Sequence, residues 1–598
     1  MTYLRSIQIL RGIAVIAVLG YHFGIPGFNN GFLGVDVFFV ISGFLMANIY
    51  RGKSVKEFYL RRVRRLIPAY IVTIGATMVV AGFRLSPSDF TQLQDQVVSS
   101  LFLNPNIYFW SQNSYFQSTD FNPLLNLWSL GIEFHFYLSV PLIFLLSKRS
   151  SKVIPFLLAG SLISCLITLS ISPKTAFFLV PFRLWEFLLG FLVVRINPKN
   201  LNPKKIKIIS AISLICLGWI FIFMPVDGFS QNILFGQPGF GSLLTAALAG
   251  LLIGLNLQSL TGVGPVDGVF EWLGKYSYSL YLIHFPLLVF FNYEVFSGTN
   301  LKVHTFLTLL MIILLTFLLA ILQYHFIEQK FQSEMMFKKF IVFALISLIS
   351  VVSIAQQAQQ NRFTASQKNV SNAYSDRPSY RCGKVFRLLH PLSNMCALSN
   401  SGNENRVLLF GNSHADALKD VFVAAADKRN VSVYFWASNN PLSFKPQEVG
   451  TIAKEVSEKG INNVYFHFSP GGADLNRLTS FVKALDELKI RSHILGPVPV
   501  WNEGIPRMLW VQLESGAKPQ IQNYKEYFDS NRVEIEYLSI GLRDYADYFD
   551  LAKSMCTPVC RISSSTLNPY YFDTDHLTNT GALQLLPVLS RAIEAGLK

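Results

Sequence analysis

Long apolar windows follow one another along the first 355 residues of the chain and then give way to shorter ones. A helix needs about 20 apolar residues to cross a bilayer. Windows of that kind predict eleven spans, at residues 5–24, 32–49, 66–83, 128–147, 153–171, 177–194, 206–224, 240–257, 276–293, 304–325 and 340–355. No convincing small-residue cleavage site follows the first window, so it is predicted to be a retained helix. The pattern predicts a multi-pass α-helical membrane bundle.

A different pattern begins after the polar stretch at 355–379. Short apolar runs, "RVLLF", "VSVYFWA", "NNVYFHFS" and "RSHILGPVPV", alternate with predicted helices that begin near His414, at 447–459 and at 473–488. Such alternation is typical of a three-layer α/β domain with a parallel sheet covered by helices. We therefore predict three parts, which are a membrane domain at 1–335, an additional transmembrane helix and linker at 336–375, and an extracytoplasmic domain at 376–598.

The formal net charge of +15 could indicate nucleic-acid binding, but its distribution indicates membrane topology instead. If the N-terminus is cytoplasmic, alternate loops contain most of the basic residues. These are Arg51, Lys53, Lys56, Arg61, Arg62, Arg64, Arg65, Lys148, Arg149, Lys152, Arg195, Lys199, Lys204, Lys205 and Lys207. The opposite loops contain little beyond Arg84, Lys174 and Lys302. This positive-inside pattern predicts a cytoplasmic N-terminus, and an odd number of spans then places the C-terminal domain outside.

The cysteines divide between the two kinds of sequence. Cys165 and Cys216 fall within predicted spans and are interpreted as small core residues. The cysteines of the predicted external domain are Cys382, Cys396, Cys556 and Cys560. An even number in an oxidising compartment indicates disulfides, and of three connectivities the local pairs 382–396 and 556–560 are favoured. Their spacing does not match a zinc site, and no metal is expected.

A serine follows the first predicted strand of the external domain, in "GNSH" at residues 411–414. Ligands of parallel α/β sheets bind at the carboxyl ends of strands, and a serine there becomes a nucleophile when a base and an orienting group assist it. Near the C-terminus, "DTDH" offers Asp573 and His576. The alternative is that Ser413 only caps the following helix.

This combination resembles the SGNH hydrolase family, whose first block is Gly-Asp-Ser and whose last is Asp-x-x-His. The resemblance implies that Ser413 is the nucleophile, His576 the general base and Asp573 its orienting partner, with Asn412 in place of the family's first-block aspartate. The backbone N–H of Ser413 is the expected first oxyanion donor. Further candidate donors, each also explained as a plain turn residue, are Asn439, Asn440 and Gly471.

Charged residues inside membrane spans are costly and are therefore functional candidates. Those of the predicted spans and their margins are Arg11, His22, Asp36, Arg62, Arg65, Glu133, His135, Arg183 and Glu186. On one helix, Arg11 and His22 would lie about 16 Å apart. Simpler explanations remain open, since Arg183 and Glu186 could form a buried ion pair, the arginine cluster could be a topology signal, and His22 could be a satisfied core histidine.

The order of these motifs, through "YSYSLYLIHFP" near residue 280, resembles the acyltransferase-3 family of integral membrane proteins. Arg11 and His22 match its Arg-x10-His signature, and Arg62 and Arg65 match its Arg-x-x-Arg signature. The resemblance implies that acetyl-CoA, the acyl donor, docks from the cytoplasm. Arginines would then hold its phosphates, and His22 would transfer protons.

Together, the two resemblances imply a bacterial inner-membrane enzyme that O-acetylates a surface polysaccharide such as lipopolysaccharide O-antigen or peptidoglycan. Its partners would be acetyl-CoA, a polysaccharide or lipid-linked glycan acceptor and membrane lipids, and not nucleic acid. Two other functions remain open, a membrane-anchored carbohydrate esterase and a transporter of an acylated lipid or sugar. However, an anchor needs one helix, and a transporter needs no serine triad.

Overall fold

The computed structural model describes residues 5–50, 54–112, 120–194, 202–228, 230–255, 264–302, 305–378, 382, 386, 395–399, 405–436 and 446–598. These residues form two compact units. The helical unit comprises Met1–Leu85 and Asp89–Gln360, and the sheet unit comprises Ser86–Ser88 and Asn361–Lys598. The basic residues Arg51, Lys53, Arg195 and Lys199 of the topology prediction lie outside the described residues.

Apolar helices make up the first part of the chain. In chain order they are α1 (Arg5–His22), α2 (Gly34–Ile49), α3 (Val55–Arg84), α4 (Pro87–Leu101), α5 (Pro105–Ser111), α6 (Leu127–Arg149), α7 (Val153–Ile171), α8 (Pro173–Phe178), α9 (Leu184–Val193), α10 (Pro203–Phe223), α11 (Phe240–Leu255), α12 (Gly264–Phe291), α13 (Phe306–Gln323) and α14 (Glu334–Arg362).

Seven helices among the described residues are long and apolar enough to cross a membrane. They are α3, α6, α7, α10, α14 and two segments, Gly31–Ile49 and Phe306–Gln332, that contain α2 and α13. The shorter helices α9 and α11 are also apolar. These helices are those of a multi-pass membrane protein, while the count of eleven spans stays a prediction.

The predicted span 177–194 is not one continuous helix. α8 ends at Phe178, a 3₁₀ turn follows at Val180–Phe182, and α9 begins at Leu184. Ser161 of α7 supports the break, because its hydroxyl donates to the carbonyl of Pro181 at 2.6 Å and accepts from the N–H of Trp185 at 3.0 Å. Two tertiary hydrogen bonds thus satisfy two of the backbone groups at the interruption.

Glycines let two pairs of helices approach closely. A Cβ at Gly12 of α1 or at Gly274 of α12 would overlap a carbonyl oxygen of the other helix. The same is true of Gly43 in α2 and Gly190 in α9. Small residues at such crossings are typical of packed membrane helices.

A six-stranded mixed sheet is the centre of the sheet unit. Its strands are β1 (Met395–Ala397), β2 (Arg406–Gly411), β3 (Ser432–Trp436), β4 (Asn463–His467), β5 (Arg491–Leu495) and β6 (Ala546–Phe549), in the spatial order β1-β3-β2-β4-β5-β6. β2 to β6 are paired in parallel, whereas β1 pairs with β3 in antiparallel orientation. The antiparallel edge strand and β6 were not predicted.

Helices follow the strands of this sheet, close to their predicted positions. The helices of the sheet unit are α15 (Ala365–Ser371), α16 (Ser413–Asp427), α17 (Pro446–Glu458), α18 (Leu475–Glu487), α19 (Ile505–Ser515), α20 (Tyr524–Ser530), α21 (Arg532–Glu536), α22 (Ala552–Met555), α23 (Asn579–Ala582) and α24 (Leu586–Leu597). The expected polar linker is largely helical, since α14 runs to Arg362 and a capping box of Thr364 and Gln367 begins α15.

Disulfides join Cys382 to Cys396 and Cys556 to Cys560, the two pairs that local spacing favoured. The cysteines of the helical unit are free. Cys165 is buried as expected, but Cys216 is exposed, so the prediction that it is a core residue was wrong. It lies on α10, much of whose apolar surface is exposed because the helix packs on few neighbours within its unit.

Candidate active site

Ser413 lies at the carboxyl end of β2, on the turn that leads into α16. β2 ends at Gly411, where a Cβ would overlap the carbonyl oxygen of His467 on β4. Asn412 is the N-cap of α16, and its side-chain oxygen accepts a hydrogen bond from the backbone N–H of His414 at 3.1 Å. Because Asn412 is the cap, the capping explanation of Ser413 was wrong.

The fold brings Ser413, Asp573 and His576 together. The hydroxyl of Ser413 donates to Nε2 of His576 at 2.7 Å, although 163 positions separate the two residues. Nδ1 of His576 donates to Oδ2 of Asp573 at 2.7 Å. Ser413 and His576 are only 2% and 5% exposed, so little water competes for these hydrogen bonds. A serine, a base and an orienting carboxylate in series can activate the serine for acyl transfer.

Backbone hydrogen bonds fix the turn that contains Asp573. Its Oδ1 accepts from the backbone N–H groups of Asp575 at 3.0 Å and of His576 at 2.7 Å. Its carbonyl accepts from the N–H of Ile505 at 3.0 Å, at the beginning of α19. One carboxylate oxygen therefore holds the turn, while the other remains available to orient the imidazole.

The electrostatics of His576 follow from its burial and its neighbours. Burial lowers the pKa of His576, but the negative charges and hydrogen bonds of Asp573 and Asp575 raise it overall to about 9. A general base accepts a proton only in its neutral form. The rate of a reaction through Ser413 should therefore rise with pH until His576 has lost its proton.

Two of the predicted oxyanion donors, Ser413 and Gly471, lie among the described residues. The N–H of Ser413 lies in the first turn of α16, where backbone N–H groups have no acceptor in the helix. Gly471 is occupied elsewhere, because its N–H donates to Oε2 of Glu534 at 2.8 Å. Asn439 and Asn440 lie outside the described residues. The proposed donation by Gly471 therefore has no support in this structure.

Asn412 has a contact that sequence reasoning missed. Its side-chain amide donates to Oγ of Ser469 at 2.9 Å, and its side-chain oxygen accepts from the N–H of Ser469 at 3.3 Å. A Cβ at Gly472 would overlap Oγ of Ser469 and lie 2.7 Å from Nδ2 of Asn412. The glycine-rich turn after β4 therefore packs tightly against the residue that precedes the serine.

Sequence reasoning also missed His414 and Asp575, which lie directly beside the predicted triad residues. Nε2 of His414 donates to Oδ2 of Asp575 at 3.2 Å, and Oδ1 of Asp575 lies 3.0 Å from Nδ1 of His576. Both residues were visible in "GNSH" and "DTDH". However, nothing in their spacing indicated that one would contact the other.

A cavity in the helical unit is lined by Arg11, Arg62 and Arg65, the arginines of the two sequence signatures. It encloses about 750 Å³ of empty space, part of it open to solvent. Its polar lining consists of Arg11, Ser42, Arg62, Arg65, Ser129, Glu133, Tyr137, Ser277, Tyr278 and Tyr281. Three guanidinium groups and one carboxylate leave the lining with an excess of positive charge, which favours an anionic ligand.

Helical spacing separates the four clustered arginines of α3 into two pairs. Arg61 pairs with Glu57 at 3.3 Å, and Arg64 pairs with Glu334 at 2.9 Å. Arg62 and Arg65, three residues apart, line the cavity instead. A cluster that served only as a topology signal would not need to direct two of its members into one cavity.

Glu133 lies on the wall of this cavity, where its Oε1 accepts hydrogen bonds from the hydroxyls of Ser42 and Tyr137. His135 lies two residues further along α6, and its Nε2 is 2.9 Å from Oδ1 of Asn104. The carboxylate of Glu133 is therefore directed by two hydroxyl donors, while His135 has a local partner outside the cavity lining.

His22 meets a second histidine where α1 crosses α12. Nδ1 of His284 donates to the carbonyl of Leu280 at 3.1 Å, so its Nε2 is the acceptor toward Nδ1 of His22 at 3.1 Å. Nε2 of His22 is then left with a lone pair, as a base requires. His22 is not one of the described residues that line the cavity of Arg11, Arg62 and Arg65.

Asp36, Arg183 and Glu186 form a buried ionic cluster between α2 and α9. The guanidinium of Arg183 bonds to Asp36 at 2.7 Å and to Glu186 at 2.9 Å, and all three side chains are at most 1% exposed. Asp36 also accepts from Ser242 at 2.7 Å. The ion pair of Arg183 and Glu186, which the spacing left open, is therefore present. These contacts connect α2 to the beginning of α9 through charged side chains.

Both parts of the chain match known protein families. Residues 4–325 match the family described as "Acyltransferase domain", and residues 381–591 match the family described as "SGNH domain (fused to AT3 domains)". The first match covers more than half of the chain. The two matched regions fall on the helical unit and on the sheet unit, respectively.

Individual relatives match only part of their own length. The O-acetyltransferase OatA of Staphylococcus aureus strain NCTC 8325 is 34% identical over 348 residues, which is 54% of this chain and 57% of that protein. The chain therefore spans little more than half the length of this relative. The periplasmic domain of the lipopolysaccharide acetyltransferase of Salmonella ser. Paratyphi A is 18% identical, with a TM-score of 0.26, covering 33% of this chain and 85% of that domain.

Proposed function

The chain belongs to the acyltransferase-3 family and has a fused SGNH domain, and we propose that it is an O-acetyltransferase of the bacterial cell surface. It takes an acetyl group from cytoplasmic acetyl-CoA, moves it across the cytoplasmic membrane and transfers it to a hydroxyl of a surface polysaccharide. Lipopolysaccharide O-antigen and peptidoglycan are the two acceptors to test.

The observation that supports this proposal best is the series of hydrogen bonds from Ser413 through His576 to Asp573. In the first half-reaction, Oγ of Ser413 attacks the acyl carbonyl while its proton passes to Nε2 of His576. The bond to the leaving group breaks, and the leaving group takes that proton. In the second half-reaction, a sugar hydroxyl gives its proton to His576 and attacks the acyl-enzyme, and Ser413 regains a proton as it leaves.

The helical unit supplies the donor side of this proposal. Arg62 and Arg65 line a cavity with Arg11, and guanidinium groups suit the phosphates of coenzyme A. His22 has an available Nε2 lone pair because His284 fixes the proton on its other nitrogen. It acts as the base for acyl transfer within the membrane.

The proposed topology has a cytoplasmic N-terminus, eleven spans and an external SGNH domain. The loop charges support this orientation. The two disulfides support it independently, since disulfides persist in oxidising compartments outside the cytoplasm. The donor and the serine then lie on opposite sides of the membrane, and this requires a membrane unit that transfers the acetyl group.

Labelled acetate tests the proposed function directly. Cells with the gene should incorporate alkali-labile labelled acetyl groups into surface glycan, and cells without it should not. Lipopolysaccharide and peptidoglycan fractions analysed separately identify the acceptor. Equal labelling of every glycan fraction in both strains would overturn the proposal, and loss of existing acetyl groups in cells with the gene would indicate an esterase.

The arginines of α3 offer a matched comparison. Arg62→Ala and Arg65→Ala should each weaken acetyl-CoA binding roughly tenfold or more, because losing a charge-assisted phosphate contact costs about 1.5–3 kcal/mol. Arg61→Ala removes a residue paired with Glu57, and it should change acetyl-CoA binding by less than about twofold. The measurement is the KM for acetyl-CoA in inverted membrane vesicles. Equal effects in all three variants would assign the cluster to topology alone.

A further inference from the structure

Two carboxylates, not one, face the imidazole of His576. Nδ1 of His576 lies 2.7 Å from Oδ2 of Asp573 and 3.0 Å from Oδ1 of Asp575. Besides His576, the two aspartates have different hydrogen-bond partners. Asp573 holds its own turn through backbone N–H groups, whereas the second oxygen of Asp575 accepts from Nε2 of His414 at 3.2 Å.

His414 is placed to act as a fixed hydrogen-bond donor. It follows Ser413 directly in the first turn of α16 and is 2% exposed. Its Nδ1 is buried without a hydrogen-bond partner among the described residues. Burial lowers the pKa of His414, although the hydrogen bond to Asp575 partly offsets this. The neutral ring therefore keeps its proton on Nε2, where it contacts Asp575.

The ligand atoms of His414, Asp575 and His576 all lie within 4.8 Å of one another, which is also the spacing of a metal site. However, hydrogen bonds already account for the contacts of this cluster. Each oxygen of Asp575 faces one imidazole N–H, and Nε2 of His576 accepts from Ser413. The arrangement is therefore explained without an ion.

We propose that Asp575, held in place by His414, is a second positioning residue for His576 and that it stabilises the imidazolium in both half-reactions. This inference rests on the proposed serine triad. When Ser413 transfers its proton to His576, the positive charge forms between two carboxylates instead of beside one. His414 prevents Asp575 from turning away, because without it Oδ2 of this half-buried carboxylate would lose its hydrogen bond, while Oδ1 would keep the hydroxyl of Thr574 at 3.0 Å.

Other groups near His576 define what a pH profile will report. Asp573 and Asp575 lie on its own turn, and the ring of His414 on α16 is 4.9 Å away between centroids. His467 on β4 faces His414 at 6.1 Å, and the guanidinium of Arg377 lies over the ring of Phe572, which stacks on His576. Of these, only Asp573 and Asp575 place negative charge beside its Nδ1.

Hydrolysis of a small activated acetyl ester by the full chain in membranes tests this role. Asp575→Asn removes one negative charge from His576 and so lowers its pKa. The acid limb of the kcat/KM profile should therefore move to lower pH by about one unit. At the optimum, kcat/KM should fall about tenfold, well short of the roughly 10⁴-fold loss typical of a triad aspartate. An unchanged acid limb would overturn the proposal.

Asp547→Asn is the matched control, because it also removes a carboxylate beside a buried histidine. Oδ2 of Asp547, on β6, lies 3.2 Å from Nδ1 of His493, on β5. This variant should leave the profile unchanged. His414→Gln keeps a hydrogen-bond donor for Asp575 and should retain most of the wild-type kcat/KM. His414→Ala removes the donor, and its kcat/KM should fall several-fold. Equal losses in both His414 variants would contradict the donor role.

The same assay separates failure of this inference from failure of the proposed function. A chain that hydrolyses the ester through Ser413 but does not acetylate glycan would refute the proposed function and leave the Asp575 comparison valid. A wild-type chain with no Ser413-dependent hydrolysis would overturn both.

Discussion

Ser413→Ala should abolish acetylation of surface glycan while leaving the protein in the membrane. The variant loses the Oγ that forms the acyl-enzyme, and no other hydroxyl occupies its position opposite Nε2 of His576 among the residues that the structure describes. Removal of a triad serine costs on the order of 10⁶-fold in kcat in a well-studied serine protease. Glycan acetylation in cells and ester hydrolysis in membranes should therefore both fall to background.

Ser480→Ala is a suitable control for this variant. Ser480 is an exposed serine of α18 whose hydroxyl donates to the carbonyl of Asn476 on its own helix, at 3.0 Å. Its replacement should leave both activities unchanged. If Ser413→Ala acetylated glycan at the wild-type level, the acetyl group would have to reach the acceptor without this serine, and the assigned role of the sheet unit would be wrong.

His22→Ala should stop acetylation from coenzyme A but spare the external site. In the proposed mechanism, His22 acts on the acetyl group within the membrane, whereas a small activated ester reaches Ser413 directly from water. A histidine that acts as a general base typically raises the reaction rate 10²–10⁴-fold. The rate of glycan acetylation should therefore fall by at least about 100-fold. Ester hydrolysis by the same membranes should remain within about twofold of wild type, since the hydrogen bonds of the triad do not involve His22.

His325→Ala provides the comparison within the helical unit, because His325 is an exposed histidine that contacts Tyr276 at 3.1 Å. It should support acetylation in cells. Full acetylation by His22→Ala would mean that the helical unit is an anchor or a transporter, and the proposed transfer across the membrane would fail. Parallel loss of ester hydrolysis in that variant would instead indicate misfolding.

Local sequence was sufficient for the features that depend on neighbouring residues. Apolar windows predicted α3, α6, α7 and α14 because a helix in lipid must be apolar along about 20 residues. Asp573 and His576 lie on one turn, and their match to the Asp-x-x-His block of the SGNH hydrolase family predicted that they pair. The two disulfides also close short loops.

Features that depend on crossings between distant elements needed the tertiary structure. At the break before α9, Ser161 of another helix pairs with the carbonyl of Pro181 and the N–H of Trp185. His22 and His284 are 262 positions apart in the sequence. Their contact requires the close crossing of α1 and α12. Neither relation leaves a periodic signal in the sequence.

The external site shows the same division most clearly. Sequence motifs predicted Ser413, Asp573 and His576, because each belongs to a recognisable block. That His414 donates to Asp575 was decided by the folded chain, which brings together the residue after Ser413 and the residue before His576. Motif spacing specifies residues along one segment, whereas hydrogen bonds between segments depend on side-chain directions that only the folded backbone sets.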